Sequence, residues 1–126
     1  MTPETLLLRQ IHPGFFQAGR VTSQAFRPTP KDGNHLSVDN GSQIQAAASW
    51  KRFTSNPGCS SCGVMAVTQA ECTAQNLPVV EDATPYPEHC SIDFTAFEKR
   101  DIERKAKLLS RQAQERGWLF SADMQN

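Results

Sequence analysis

The spacing of apolar residues near the C-terminus constrains the fold more than any other feature. Four of these residues recur at intervals of four, three and four positions, and they are Ile102, Ala106, Leu109 and Ala113. This spacing places them on one face of a helix. Gly117 is the residue type that commonly ends a helix. The sequence therefore predicts an amphipathic helix over roughly residues 99–116, with the segment after Gly117 folded back over the core.

Short apolar runs, separated by turn residues, fill the rest of the chain. Runs of this length bounded by Pro, Gly and Asn are typical of strands. We predict strands at 6–11, 19–26, 63–67, 77–80 and 89–94, with the 63–67 strand in the interior of a sheet. The segment 35–38 is too short to assign.

Two polar pairs have the spacing of a capping box, in which two side chains satisfy the first amides of a helix. Ser42 with Gln45 predicts a helix at about 43–53, and Thr68 with Glu71 predicts a short one through about residue 75. A chain of 126 residues is long enough for one hydrophobic core. The expected fold is a single α+β domain over residues 1–126, with a small mixed or antiparallel sheet, about two main helices and the C-terminal amphipathic helix.

Charge and hydropathy exclude several classes of protein. The chain has 13 basic and 13 acidic residues, so it lacks the positive field that drives nonspecific nucleic-acid binding. No segment approaches the roughly 20 apolar residues needed to cross a bilayer. The first residues also lack the basic flank and apolar length of a signal peptide. We therefore expect a cytoplasmic protein without a membrane partner.

The expected cytoplasmic location bears on the chemical state of the cysteines. A reducing compartment favours thiols or metal ligands over disulfides. Cys59 and Cys62 have the spacing of a zinc knuckle, and the further thiols are those of Cys72 and Cys90. Cys72 stands alone, and Cys90 adjoins His89, so a second knuckle is missing. We predict no cofactor, with zinc as the minority alternative.

Polar residues at the ends of the predicted N-terminal strands form the candidate site. Arg9 and His12 lie at the end of the first predicted strand, Ser23 lies in the second, and His89 begins a later strand. A rigid sheet can direct such side chains into a cleft, bordered here by the acidic loop 81–88. We take Arg9, His12, Ser23 and His89 as candidate catalytic residues and expect an anionic ligand. The alternative is structural, with His12 capping a turn and Arg9 paired with an acid.

Several segments also carry a resemblance to known proteins. They are Leu8-Arg-Gln-Ile-His-Pro13, Gly19-Arg-Val-Thr-Ser-Gln-Ala-Phe-Arg-Pro28, Leu36-Ser-Val38, Pro87-Glu-His89 and Arg116-Gly-Trp-Leu-Phe120. Together they look like a group of small uncharacterised bacterial proteins over nearly the whole chain. The resemblance implies a bacterial, cytoplasmic, stand-alone domain and transfers no catalytic residue.

A second, looser resemblance concerns the candidate site. Arg or His on a first strand, then Ser on the next, with a later carboxylate, is similar to ADP-ribosyltransferase-like folds, where such groups hold nicotinamide dinucleotide. The carboxylate would be Glu71, Glu81 or Glu88.

Two functions therefore stay open from the sequence. One is an interaction or accessory protein without catalytic activity, whose protein partner is unknown. The other is a small enzyme or ligand-binding protein with an anion or nucleotide site. The second requires His12 and His89 to face a common cleft.

The charged surface of the last helix is expected to be solvated, with the pairs Asp101–Lys105 and Glu103–Lys107.

Overall fold

The apolar runs and the helical spacing give an alternation of short strands and helices. A computed structural model of the chain describes residues 1–122. The strands are β1 (Leu6–Gln10), β2 (Phe16–Gln17), β3 (Arg20–Val21), β4 (His35–Asn40), β5 (Gly63–Thr68), β6 (Val79–Val80), β7 (His89–Asp93) and β8 (Phe120–Ser121). The α-helices are α1 (Ala46–Thr54), α2 (Gln69–Ala74) and α3 (Lys99–Arg116). Three 3-10 helices lie at Pro13–Phe15, Ser23–Phe26 and Pro30–Asp32.

The main sheet has six strands in the order β6-β7-β4-β1-β5-β8. Every neighbouring pair is antiparallel. β2 and β3 form a separate two-stranded hairpin. The predicted α+β fold is confirmed, and β5 is an interior strand as expected.

Alternate residues of β1 supply two hydrophobic cores on opposite faces of the sheet. Leu7 belongs to the large core, where α3 and the 3-10 helix of Ser23–Phe26 cover the sheet. Leu8 belongs to a small core on the other face, with Trp50 of α1 packed against it. The two faces thus carry cores of very different size.

α3 has the predicted bounds and buries the predicted face. Ile102, Ala106, Leu109 and Ala113 all lie in the large core. Gly117 ends the helix with a φ of 91°, a left-handed conformation that glycine adopts without steric cost. Among residues 1–122, no helix is both long and apolar enough to cross a membrane.

The predicted strand at 19–26 is mostly wrong. Only Arg20–Val21 is extended, and the 3-10 helix of Ser23–Phe26 follows. Ala25 and Phe26 are consecutive and both fully buried. A strand with one buried face alternates its side chains, so it cannot bury two neighbours on the same side. The tight helical turn achieves this.

The two predicted capping boxes have different outcomes. Thr68 and Glu71 form the complete box at the start of α2. The other pair does not cap α1, because Ser42 donates its hydroxyl to Oδ1 of Asn40 at 2.6 Å. α1 begins only after Gln45, whose side chain makes no capping hydrogen bond.

The predicted ion pairs on α3 are replaced by others. Asp101 pairs with Arg104, and Glu103 pairs with Arg27, which follows the 3-10 helix of Ser23–Phe26. Lys105 is buried, with its ammonium group 4.1 Å from the centre of the Phe97 ring. The long lysine stem therefore fills space at the edge of the large core.

Candidate functional site

One half of the sheet face opposite α3 is polar. Val38 of β4 and Cys90 of β7 lie in the large core, so the residues on either side of them along each strand lie on the opposite face. Those neighbours are Ser37, Asp39, His89 and Ser91. α1 packs on β1, β5 and β8. The β4–β7 half of this face is therefore left largely uncovered by α1.

A cavity of about 630 Å³ lies beside this polar half, and we call it the sheet cavity. Its walls come from β1, β4, α1, the start of β7 and two loops at 56–60 and 85–86. Leu8, Phe15, Phe53 and Tyr86 give it an apolar and aromatic lining. Pockets of this size, with few polar groups on an apolar lining, are typical of small-molecule sites.

A chain of hydrogen bonds runs along one wall of the sheet cavity. The amide of Gln10 donates to Oγ of Ser49 at 2.9 Å, and that hydroxyl donates to Oδ2 of Asp39 at 2.7 Å. Ser49 is almost fully buried. The same Asp39 oxygen accepts from Arg52 at 3.1 Å. This chain joins β1, β4 and α1 and fixes the carboxylate of Asp39.

Arg52 carries a charge that its neighbours already balance. Its guanidinium donates to Asp39 and, at 3.0 Å, to Glu88. It also lies over the Tyr86 ring, 3.8 Å from the ring centre. A guanidinium held by two carboxylates and an aromatic face is a structural clamp between α1 and the loop before β7.

Arg9 lies where β1 and β4 separate. The β1–β4 ladder has only two register pairs, Leu7 with Asn40 and Leu8 with Asp39. Beyond them, Arg9 donates from Nη1 to the carbonyl of Ser37 at 3.0 Å and from Nε to the carbonyl of Ala25 at 2.8 Å. Burial lowers the pKa of Arg9 to about 10, and the charge of Asp32 raises it. Within residues 1–122, no carboxylate forms an ion pair with Arg9.

His12 caps the 3-10 helix of Pro13–Phe15, as the structural alternative proposed. Its Nδ1 accepts a hydrogen bond from the amide of Gly14 at 2.9 Å. In the neutral ring the proton must then lie on Nε2. His12 is exposed and lines the sheet cavity.

His89 is held by a carboxylate. Its Nδ1 lies 2.5 Å from Oδ1 of Asp82, whose other oxygen accepts from Ser91 at 2.7 Å. Desolvation raises the pKa of Asp82, but the hydrogen bonds from His89 and Ser91 outweigh it, and the pKa is lowered. Asp82 is therefore ionised at neutral pH, so Nδ1 of His89 carries the proton.

The structure brings three of the four candidate residues to one cavity. Arg9, His12 and His89 all line the sheet cavity. Ser23 lies apart from them, at the start of its 3-10 helix, in a groove of about 550 Å³ beside α3.

The four thiols lie in different places and form no disulfide. Cys59 lines the sheet cavity, and Cys62 donates to the carbonyl of Ile11 at 3.3 Å. Burial raises the pKa of Cys72 to about 12 and that of Cys90 to about 11. Among the residues that the structure describes, no group of three or more His, Cys, Asp or Glu could hold a metal ion. The absence of zinc stays a prediction.

The sequence reasoning missed most of the wall of the sheet cavity. Asp39, Ser49, Arg52 and Tyr86 were not among the candidates. One signal was available, because Ser37-Val38-Asp39 alternates polar and apolar residues as a half-buried strand does. Ser49 and Arg52 carry no such signal, since their partners lie on distant segments.

The chain was compared with protein-family models, curated proteins and solved structures, and no match was found in any of the three comparisons. The resemblance to ADP-ribosyltransferase-like folds therefore stays a prediction.

Proposed function

We propose that the protein binds a small organic anion in the sheet cavity, with Arg9 as the residue that recognises the negative charge. One observation carries this proposal. Arg9 lines the cavity with a partly buried guanidinium, and its hydrogen-bond partners are neutral carbonyl groups. Asp32 acts on Arg9 electrostatically, but no carboxylate of residues 1–122 forms an ion pair with it. A bound anion would supply that direct partner for a partly buried cation.

Arg52 makes the assignment to Arg9 more specific. Both arginines line the cavity. Arg52 already has Asp39 and Glu88 as counter-charges. An incoming anion would compete with these carboxylates at Arg52, whereas at Arg9 it would displace no ion pair formed by residues 1–122.

The rest of the lining favours a ligand with an apolar or aromatic body. Phe15, Phe53 and Tyr86 offer ring surfaces, and the polar chain through Ser49 and Asp39 lies along one wall. Aromatic rings are attracted to one another in offset or edge-on arrangements. An aromatic carboxylate or a nucleotide-like anion combines the two properties.

Benzoate and its neutral isostere benzamide test the proposal by calorimetric titration. We expect benzoate to bind, and benzamide to bind more weakly or not at all. Arg9→Met keeps the apolar stem and removes the charge. Loss of one charge-assisted hydrogen bond is expected to weaken benzoate binding by roughly 10- to 100-fold. Arg20→Met is the matched control, because Arg20 is exposed on β3 and lies outside the sheet cavity.

Arg9 also bonds to two backbone carbonyls, so its variants must be checked for folding. Near-ultraviolet circular dichroism is the check, and Arg9→Lys, which keeps the charge, is expected to retain part of the affinity. Equal binding of benzoate and benzamide would overturn the role of charge. Failure of the wild-type protein to bind either probe would favour the other function, an accessory protein that acts through its surface on a protein partner.

We also propose a cytoplasmic location in a bacterial cell. The thiols of Cys72 and Cys90 are buried and form no disulfide. Thiols that remain reduced are usual in the cytoplasm.

A further inference from the structure

We propose that the sheet cavity is a catalytic site for ester hydrolysis, with His89 as general base and His12 as the hydrogen-bond donor to the developing negative charge. This inference rests on the proposed function in that it uses the same cavity. It adds a reaction and a substrate class, an ester that carries a negative charge. It is argued from the hydrogen bonds that set the tautomers of the two rings.

The hydrogen bonds of the two imidazole rings favour opposite tautomers. Nδ1 of His89 donates to Asp82, so Nε2 of the neutral ring carries the lone pair that can accept a proton. Nδ1 of His12 accepts from the amide of Gly14, so its Nε2 carries a proton. Both residues line the sheet cavity. One ring is thus prepared to take a proton and the other to donate a hydrogen bond.

Asp82 is a positioning residue for His89. It fixes the tautomer and orientation of the ring, and it stabilises the imidazolium that forms when Nε2 takes a proton. Two backbone hydrogen bonds fold the loop so that Asp82 returns to His89: Ala83 donates to the carbonyl of His89, and His89 donates to that of Tyr86, each at 3.0 Å. Ser91 holds the second carboxylate oxygen.

The reaction can be written with all bonds and protons balanced. Nε2 of His89 takes a proton from water as the water oxygen forms a bond to the acyl carbon. The acyl oxygen gains negative charge and accepts a hydrogen bond from Nε2–H of His12. The bond from carbon to the leaving oxygen then breaks, that oxygen departs with the electron pair, and His89 returns the proton to it or to solvent. The products are an acid and an alcohol.

The third histidine is a natural control. Nε2 of His35 lies 3.8 Å from Asp93 on the same sheet, and His35 does not line the sheet cavity. A general base here needs a place in the cavity lining and a carboxylate beside the ring. His12 meets only the first requirement, His35 only the second, and His89 both. If hydrolysis depends on His89 alone as the base, both requirements are necessary.

4-Nitrophenyl benzoate and its anionic counterpart, the mono-4-nitrophenyl ester of terephthalic acid, are the probes, with release of nitrophenolate as the readout. We expect both to be hydrolysed faster than in buffer. His89→Gln is expected to slow this reaction by about 100-fold or more. His12→Gln should slow it by up to about tenfold, and His35→Gln should leave it unchanged. Near-ultraviolet circular dichroism verifies that each variant is folded.

The pH profile separates positioning from a merely structural role of Asp82. The charged groups around His89 are Asp82 of the loop, Asp39 opposite it on β4, and Arg52 of α1 with its partner Glu88. Asp82→Asn removes the negative charge nearest to the ring, so the protonated form of His89 becomes less favourable. The rise of the rate with pH should move to lower pH, and the plateau rate should fall.

The outcomes for the two proposals can be told apart. If the terephthalate and benzoate esters react equally in wild-type protein and in Arg9→Met, anion recognition fails while the role of His89 stands. If benzoate binds through Arg9 but His89→Gln hydrolyses both esters at the wild-type rate, the catalytic inference is overturned. The same conclusion follows if the wild-type protein does not exceed the rate in buffer.

Discussion

The two faces of the six-stranded sheet are made by alternate residues of the same strands, yet they differ in almost every property. On one face, α3 and a 3-10 helix bury the large core. On the other, α1 covers a small core and leaves a polar half with the sheet cavity. The two covering helices also differ in length. α3 has 18 residues and is about 27 Å long, whereas α1 has nine and is about 14 Å long.

α1 packs mainly on β1, β5 and β8, so it covers that end of the sheet. The face under α1 must therefore remain partly uncovered, and its β4–β7 half carries polar side chains. This division separates stability, which depends on the closed face, from chemistry, which the open face can perform.

The largest expected effect breaks the closed face. Leu109 is fully buried at the centre of the α3 contact. Leu109→Ala removes apolar burial and leaves a cavity, which is expected to cost about 2 to 5 kcal/mol. Denaturant titration measures the change. A cost below about 1 kcal/mol would mean that the site collapses around the smaller side chain.

A smaller effect is expected on the open face. Ser49 is almost fully buried and joins Gln10 to Asp39. Ser49→Ala leaves two polar partners without their hydrogen bonds and is expected to cost about 1 to 3 kcal/mol. The same titration, with Ala48→Ser on the exposed side of α1 as control, provides the comparison. A loss equal to that of Leu109→Ala would contradict the division between the faces.

The two faces also differ in how well they can be predicted from the sequence. The closed face depends on α3, whose bounds and buried residues are fixed by periodicity within one segment. The wall of the open face depends on Asp39 and Arg52, which meet only after β4 and α1 pack. A period can be seen along the chain, but a hydrogen bond between β4 and α1 cannot. Strand-end positions were enough to indicate Arg9, His12 and His89, because they lie at the end of β1 or the start of β7.

A third prediction concerns Glu71, whose ion pair on the outer surface serves as a reference for the stability effects on both faces. Glu71 caps α2 and pairs with Arg116 at the end of α3. Desolvation raises the pKa of Glu71, but hydrogen bonds from Arg116 and Thr68 lower it below its ordinary value of 4.5.

A carboxyl group with a lowered folded-state pKa stabilises the fold above its unfolded pKa and loses this contribution as pH falls through the folded pKa. The free energy of unfolding should therefore decline as pH falls below about 4.5. Glu71→Gln should be less stable than wild type at pH 7 and show a smaller decline in acid. Chemical unfolding at pH 7 and pH 3 measures both. An unchanged difference between the two proteins would show that Glu71 makes no such contribution.

The smallest expected effect concerns the charges on the outer side of α3. Lys107 is exposed, and its predicted partner Glu103 pairs with Arg27 instead. Arg111 lies one helical turn further along, where a like charge is mildly destabilising. Removal of Lys107 relieves this repulsion, and alanine has the higher helix propensity. Against these gains stands only the loss of a solvated side chain. Lys107→Ala is therefore expected to change the free energy of unfolding by less than about 0.5 kcal/mol. A change as large as that of Leu109→Ala, measured in the same denaturant titration, would show that the outer side of α3, and not the closed face of the sheet, holds the fold together.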